Sequence, residues 1–108
     1  ALEIYEELDS KEGMATLYGN LGNIYQSRGE LTKAEETYRN ALAIFIELGS
    51  KEGIANQYGN LGNIYQSRGE IGKAEHQYRL ALQLFKEIGA KLEIKKTEDN
   101  LWSIGKEP

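Results

Sequence analysis

Residues 10–49 realign without a gap on residues 50–89, and 28 of the 40 paired positions are identical. A period of 20 to 50 residues marks one supersecondary unit that cannot bury its apolar face alone and is completed by stacked copies, as in a solenoid. The flanks keep the register. Ala1 to Leu8 matches the end of the unit, Ala41 to Leu48, and Ala90 to Pro108 matches its beginning more loosely. The chain reads as half unit, unit, unit, half unit.

Within a unit, Met14, Leu17, Tyr18, Leu21, Ile24 and Tyr25 recur at three- and four-residue spacing, the pattern of an amphipathic helix, here helix A. After Gly29, residues Leu31, Ala34, Tyr38, Ala41, Leu42, Phe45 and Leu48 repeat that spacing as helix B. Gly49 can end helix B in a left-handed cap, and Ser50 is placed to cap the next helix A. No β-branched alternating run competes, and the single proline is the last residue. The expectation is an all-α solenoid with helices near 1–8, 11–28, 31–48, 51–68, 71–88 and 91–104. One domain, 1–108, then divides into the second helix of a preceding partial repeat (1–9), two repeats (10–49 and 50–89) and a degenerate C-terminal capping helix (90–108). Trp102 falls at the Gly22/Gly62 position with no helix B after it, so it is expected to cover what that helix would have covered. At the other end, Leu2, Ile4, Tyr5 and Leu8 are expected to be exposed unless something packs there.

The Tyr18, Leu21, Gly22, Tyr25, Ala34, Tyr38 and Ala41 pattern, repeated as Tyr58, Leu61, Gly62, Tyr65, Ala74, Tyr78 and Ala81, resembles the tetratricopeptide signature, with tyrosine in its tryptophan and phenylalanine places. The period of 40 exceeds the usual 34 or so, and the proline expected at the end of helix B is absent. In its long repeat the chain resembles the arrays of kinesin light chains and spindle G-protein regulators. That resemblance implies a right-handed superhelix whose A helices line a concave groove for extended peptides. Tetratricopeptide domains that clamp a C-terminal carboxylate use lysine and asparagine positions matched here by Asn23, Asn60 and Lys96. Gly19 and Asn100 stand where two of the family's basic residues would be, so that clamp is incomplete.

Charge and composition remove other classes of function. A mild net charge of -4, spread along the chain, lacks the basic footprint of a nucleic-acid or membrane-surface binder. No apolar run nears the roughly 18 residues of a membrane span. With no cysteine there is neither disulfide framework nor thiolate site, which suits a cytoplasmic location but equally a cysteine-free secreted fragment. The one histidine, His76, takes the place of Glu36 in the sister unit and reads as a solvated surface residue. No metal site, cofactor site or acid–base pair can be assembled, so no enzyme is expected.

Gly22 and Gly62 lie inside helix A, where glycine costs roughly 1 kcal/mol relative to alanine, and close approach of helix B is the expected compensation. Tyr18, Tyr25, Tyr38 and Phe45 are expected in the core, with the tyrosine hydroxyls reaching the rim or a polar partner. Opposite the apolar stripe, Thr16, Gly19, Asn20, Asn23, Gln26 and Ser27 share one sector of helix A. Amides both donate and accept, which suits a peptide backbone. The expected peptide-binding set is Asn23, Gln26, Asn60, Asn63, Gln66, Lys96 and Ser103, with a protein or peptide as partner and no cofactor. Asn20 and Asn60 could instead tie adjacent units together. Two other readings stand beside peptide binding: head-to-tail self-association, and a regulatory segment of a larger enzyme or sensor.

Overall fold

A computed structural model describes residues 2–108, with side chains from Asp9 onward. Five helices follow one another: α1 (Leu2–Ser27), α2 (Leu31–Leu48), α3 (Lys51–Ser67), α4 (Ile71–Ile88) and α5 (Lys91–Ser103). The all-α class is the one expected. The chain forms two compact units, 1–50 and 51–108, each built on one antiparallel A–B hairpin.

Glycine sets the helix ends. Gly29, Gly49, Gly69, Gly89 and Gly105 all have positive φ, between 68° and 79°, which any residue with a Cβ resists. Each makes the same paired closure. At the end of α2 the Gly49 N–H donates to Ile46 O and the Ser50 N–H to Phe45 O, both at 3.0 Å. Asp9 stands where the sister units have Gly49 and Gly89, and without a glycine the chain does not turn. The expected separate helices 1–8 and 11–28 are therefore corrected to one helix, Leu2–Ser27. The expected exposure of Leu2, Ile4, Tyr5 and Leu8 concerns side chains outside the described residues.

In the first unit α1 packs on α2 through alanines and one tyrosine, with Ala15, Ala34, Tyr38 and Ala41 fully buried. Lys11 reaches Glu47 at 2.8 Å across the open end of the hairpin. One partner helix covers only part of a wide apolar stripe, and Met14, Leu17 and Ile24 remain 50%, 57% and 47% exposed. Of the aromatics expected in the core, Tyr38 is buried and Tyr18, Tyr25 and Phe45 are only half-buried, which corrects that reading for the latter three. Gly19, expected on the polar face, is buried.

The second unit adds α5. Ala55, Leu61, Ile64, Ala74, Tyr78, Ala81 and Leu101 are fully buried, and Ala55, Ala81 and Phe85 form a core against which Tyr58, Leu84, Ala90 and Ile94 pack. Lys51 and Glu87, 3.4 Å apart, repeat the Lys11–Glu47 pair. Gly105 ends α5 one turn earlier than α3 ends. The residues after it return along α4, where Arg79 donates to the Glu107 carbonyl oxygen at 2.9 Å and Lys106 lies 3.7 Å from Glu75. Arg79, then Lys106, holds the Glu75 carboxyl below the usual carboxylate range. Trp102 itself is 59% exposed, against the expectation that it would cover this face.

Candidate functional site

α5 packs on α4, and a cleft of about 220 Å³ lies between α3 and α5, the two A-type helices of the second unit. Asn56, Asn60 and Asn63 line it from α3, at spacings of four and three residues that keep them on one face. Lys96 and Asn100, four apart, line it from α5 with Glu93 and Thr97, and Phe85 of α4 contributes an apolar wall. Gly59 also lines it, with open space where a Cβ would stand. Asn60 Nδ2 makes a long 3.4 Å contact to Gln57 Oε1, and Thr97 donates to the Glu93 carbonyl oxygen at 2.7 Å.

Three of the expected site residues, Asn60, Asn63 and Lys96, thus share one cleft. Gln66 and Ser103 meet just beyond it, Nε2 to Oγ at 3.4 Å. Asn23 and Gln26 belong to the first unit. There and in the second unit the structure adds a partner that the sequence pattern did not reveal. The buried Tyr38 hydroxyl lies 2.6 Å from Asn23 Oδ1 and 2.8 Å from Gln26 Oε1, and Tyr78 lies 2.6 Å from Asn63 Oδ1 and 2.7 Å from Gln66 Oε1. These amides flank the helix–helix contact, so their reading as a sector wholly turned away from the core is corrected. Burial pushes both tyrosine hydroxyls up to about 12.

Gly22 and Gly62 make that reach feasible. A Cβ on Gly22 would come within 2.4 Å of the Tyr38 ring, and one on Gly62 within 2.6 Å of the Tyr78 ring. The rings lie directly on the helix A backbone, as the close-approach reading of these glycines requires. Asn56 and Asn100 were not among the expected contacts. Asn56 was legible as the residue one turn before Asn60, but its sister is Thr16, so comparing units hid it.

The cleft offers amides, one ammonium and one carboxylate. Among the described residues no group of His, Cys, Asp and Glu could hold a metal ion, and His76 is exposed on α4. No described helix is long and apolar enough to cross a membrane.

A comparison with curated protein sequences returned no match. Among solved structures, the chain is similar to BtubC (BKLC) from P. vanneervenii, with 28% identity and a TM-score of 0.75. The match covers 83% of this chain and 37% of that one, so the likeness is to a minor part of that protein. A family model for the tetratricopeptide repeat matches residues 13–87, which include both A–B turns and the two glycine–tyrosine contacts. The chain belongs to the tetratricopeptide repeat family.

Proposed function

We propose that this chain is a non-catalytic interaction module that binds an extended peptide segment of a partner protein on its A-helix face. Tetratricopeptide repeats generally mediate protein–protein interactions, and the α3–α5 cleft is the seat proposed for the peptide. The observation that carries this reading is the row Asn56, Asn60 and Asn63 facing Lys96 and Asn100 across an open cleft of about 220 Å³. That volume is below the range of about 300 to 1,000 Å³ usual for small-molecule and cofactor sites, and it suits one or two side chains of a longer ligand. Asn60 and Asn63 hydrogen-bond the peptide backbone, Lys96 meets an acidic group, and Gln66 and Ser103 border the same path. Asn23 and Gln26 repeat the α3 arrangement in the first unit.

Neutral hydrogen bonds contribute net on the order of 1 kcal/mol each. A handful of them gives an affinity of about micromolar or weaker. The test is a displayed library of random peptides selected on the wild-type chain, followed by affinity measurement on Asn60→Ala, Asn63→Ala and Lys96→Ala. Each variant is expected to weaken the selected peptides while keeping wild-type helicity. Peptides that bind all three variants normally, and lose affinity on Glu36→Ala or Arg79→Ala, would place the site on the helix B face instead.

Self-association has its own support in the exposed Met14, Leu17 and Ile24 on α1. Sedimentation that stays monomeric at high concentration would count against it.

A further inference from the structure

A phenol has one proton, yet Tyr78 faces two amide oxygens at hydrogen-bonding distance, and Tyr38 does the same in the first unit. Only one oxygen can accept at a time. The other amide must be turned over, so that its NH2 donates to the tyrosine oxygen; which atom of an amide is oxygen is settled by such networks. The distances decide which. A 2.6 Å separation suits O–H···O but is shorter than the N–H···O range, whereas 2.7 to 2.8 Å suits both. In each unit the shorter contact is to the asparagine, Asn23 or Asn63, and the longer to the glutamine, Gln26 or Gln66. Turning Gln66 over costs little, because its alternative bond is the 3.4 Å contact to Ser103, whose own hydroxyl proton goes to the Asn100 carbonyl oxygen at 2.6 Å.

With Oδ1 held inward by a fully buried tyrosine, the Asn63 NH2 is turned the opposite way, and Asn63 lines the cleft. We infer that Tyr78 is a positioning residue: its hydroxyl orients the Asn63 carboxamide so that this point of the cleft presents a donor and selects a carbonyl oxygen, such as that of a peptide bond. The ligand half of the inference rests on the peptide-binding reading, while the orientation half stands without it. Gly62 is the enabling residue, since only a bare backbone lets the ring lie close enough to reach the amides.

Two measurements on the full chain separate these halves. In the unliganded, isotope-labelled protein, the Asn63 side-chain NH2 signals are assigned by their loss in Asn63→Asp. Tyr78→Phe is expected to move them to the positions of solvated asparagine, and signals left unmoved would overturn the orientation. Peptides from the display selection then serve as the probe. Tyr78→Phe is expected to weaken binding about fivefold, the worth of one net hydrogen bond. Asn63→Asp keeps an oxygen for Tyr78 but replaces the outward donor by an acceptor, and is expected to weaken binding at least about tenfold. The double variant should bind no worse than Asn63→Asp, because Tyr78 acts through Asn63. A Tyr78→Phe loss that persists in full on the Asn63→Asp background would refute positioning and leave a merely structural tyrosine. Normal binding by Asn63→Asp would refute the selected acceptor. If no peptide is recovered the binding reading fails, and the NH2 signals still decide the orientation.

Discussion

Replacing Gly62 by alanine sets two effects of known sign against each other. Alanine is better than glycine in a helix interior by about 1 kcal/mol, so at an open site the change stabilises. At Gly62 the new Cβ would stand 2.6 Å from Tyr78 Cε1 and 2.7 Å from Cδ1, where ordinary carbon contacts lie near 3.5 to 4.0 Å. The ring must retreat by about 1 Å. Tyr78 is fully buried and tied by its hydroxyl to Asn63 and Gln66, so it has no free direction to move. Overpacking of this kind costs about 1 to 3 kcal/mol, and each hydroxyl bond lost adds about 1 kcal/mol. After subtracting the propensity gain, Gly62→Ala should destabilise by about 2 kcal/mol, lowering Tm by roughly 10 °C in a domain of this size. Gly72→Ala in α4 is the control, because a Cβ there meets nothing within 4 Å. It should be neutral or stabilising by up to about 1 kcal/mol. Urea titration followed by circular dichroism reads both. A Gly62→Ala variant as stable as the wild type would mean that the Tyr78 ring does not lie on the α3 backbone, and the site built on that contact would fall with it.

Tyr38 and Tyr78 have hydroxyls raised to about 12 in the folded chain against about 10 when unfolded, so their contribution to stability is complete below pH 10 and is lost as pH rises through 12. Absorbance at 295 nm should show two of the seven tyrosines ionising only together with unfolding, and Tyr78→Phe should remove one of them. Gly49→Ala forces a side chain into a backbone conformation at φ 69° and should cost about 1 to 2 kcal/mol in thermal or urea unfolding; an unchanged midpoint would contradict the cap. Trp102, at 59% exposure, should emit near the wavelength of free indole and be quenched readily by iodide, and Trp102→Ala should change stability by no more than about 0.5 kcal/mol.

Helix identity and most helix ends were legible because glycine marks them. The expected α2 and α4 agree with the observed bounds, and α3 and α5 end one residue sooner than expected. The exception is instructive. Asp9 is one of several differences in a segment that aligns with the ends of the sister units, and aligning repeats emphasises likeness over the one difference that removes the turn. The close approach at Gly22 and Gly62 was legible from the cost of glycine inside a helix, although the ring that fills the space was not. The amides were legible as a polar row but not as partly committed groups. Helical periodicity assigns a residue to a sector, but it does not show that a long tyrosine from the next helix reaches Asn23 and Asn63 there. Met14, Leu17 and Ile24 show the converse limit. Spacing identifies an apolar stripe but cannot say whether one neighbour is wide enough to cover it.

The central claim is that the α3–α5 cleft holds an extended peptide, and chemical-shift mapping with a selected peptide tests it most directly. The account predicts that the largest changes fall on Asn56, Asn60, Asn63, Lys96 and Asn100, with Glu36, His76 and Gln83 on the B helices unmoved. Changes confined to α2 and α4, with the asparagine row silent, would contradict it.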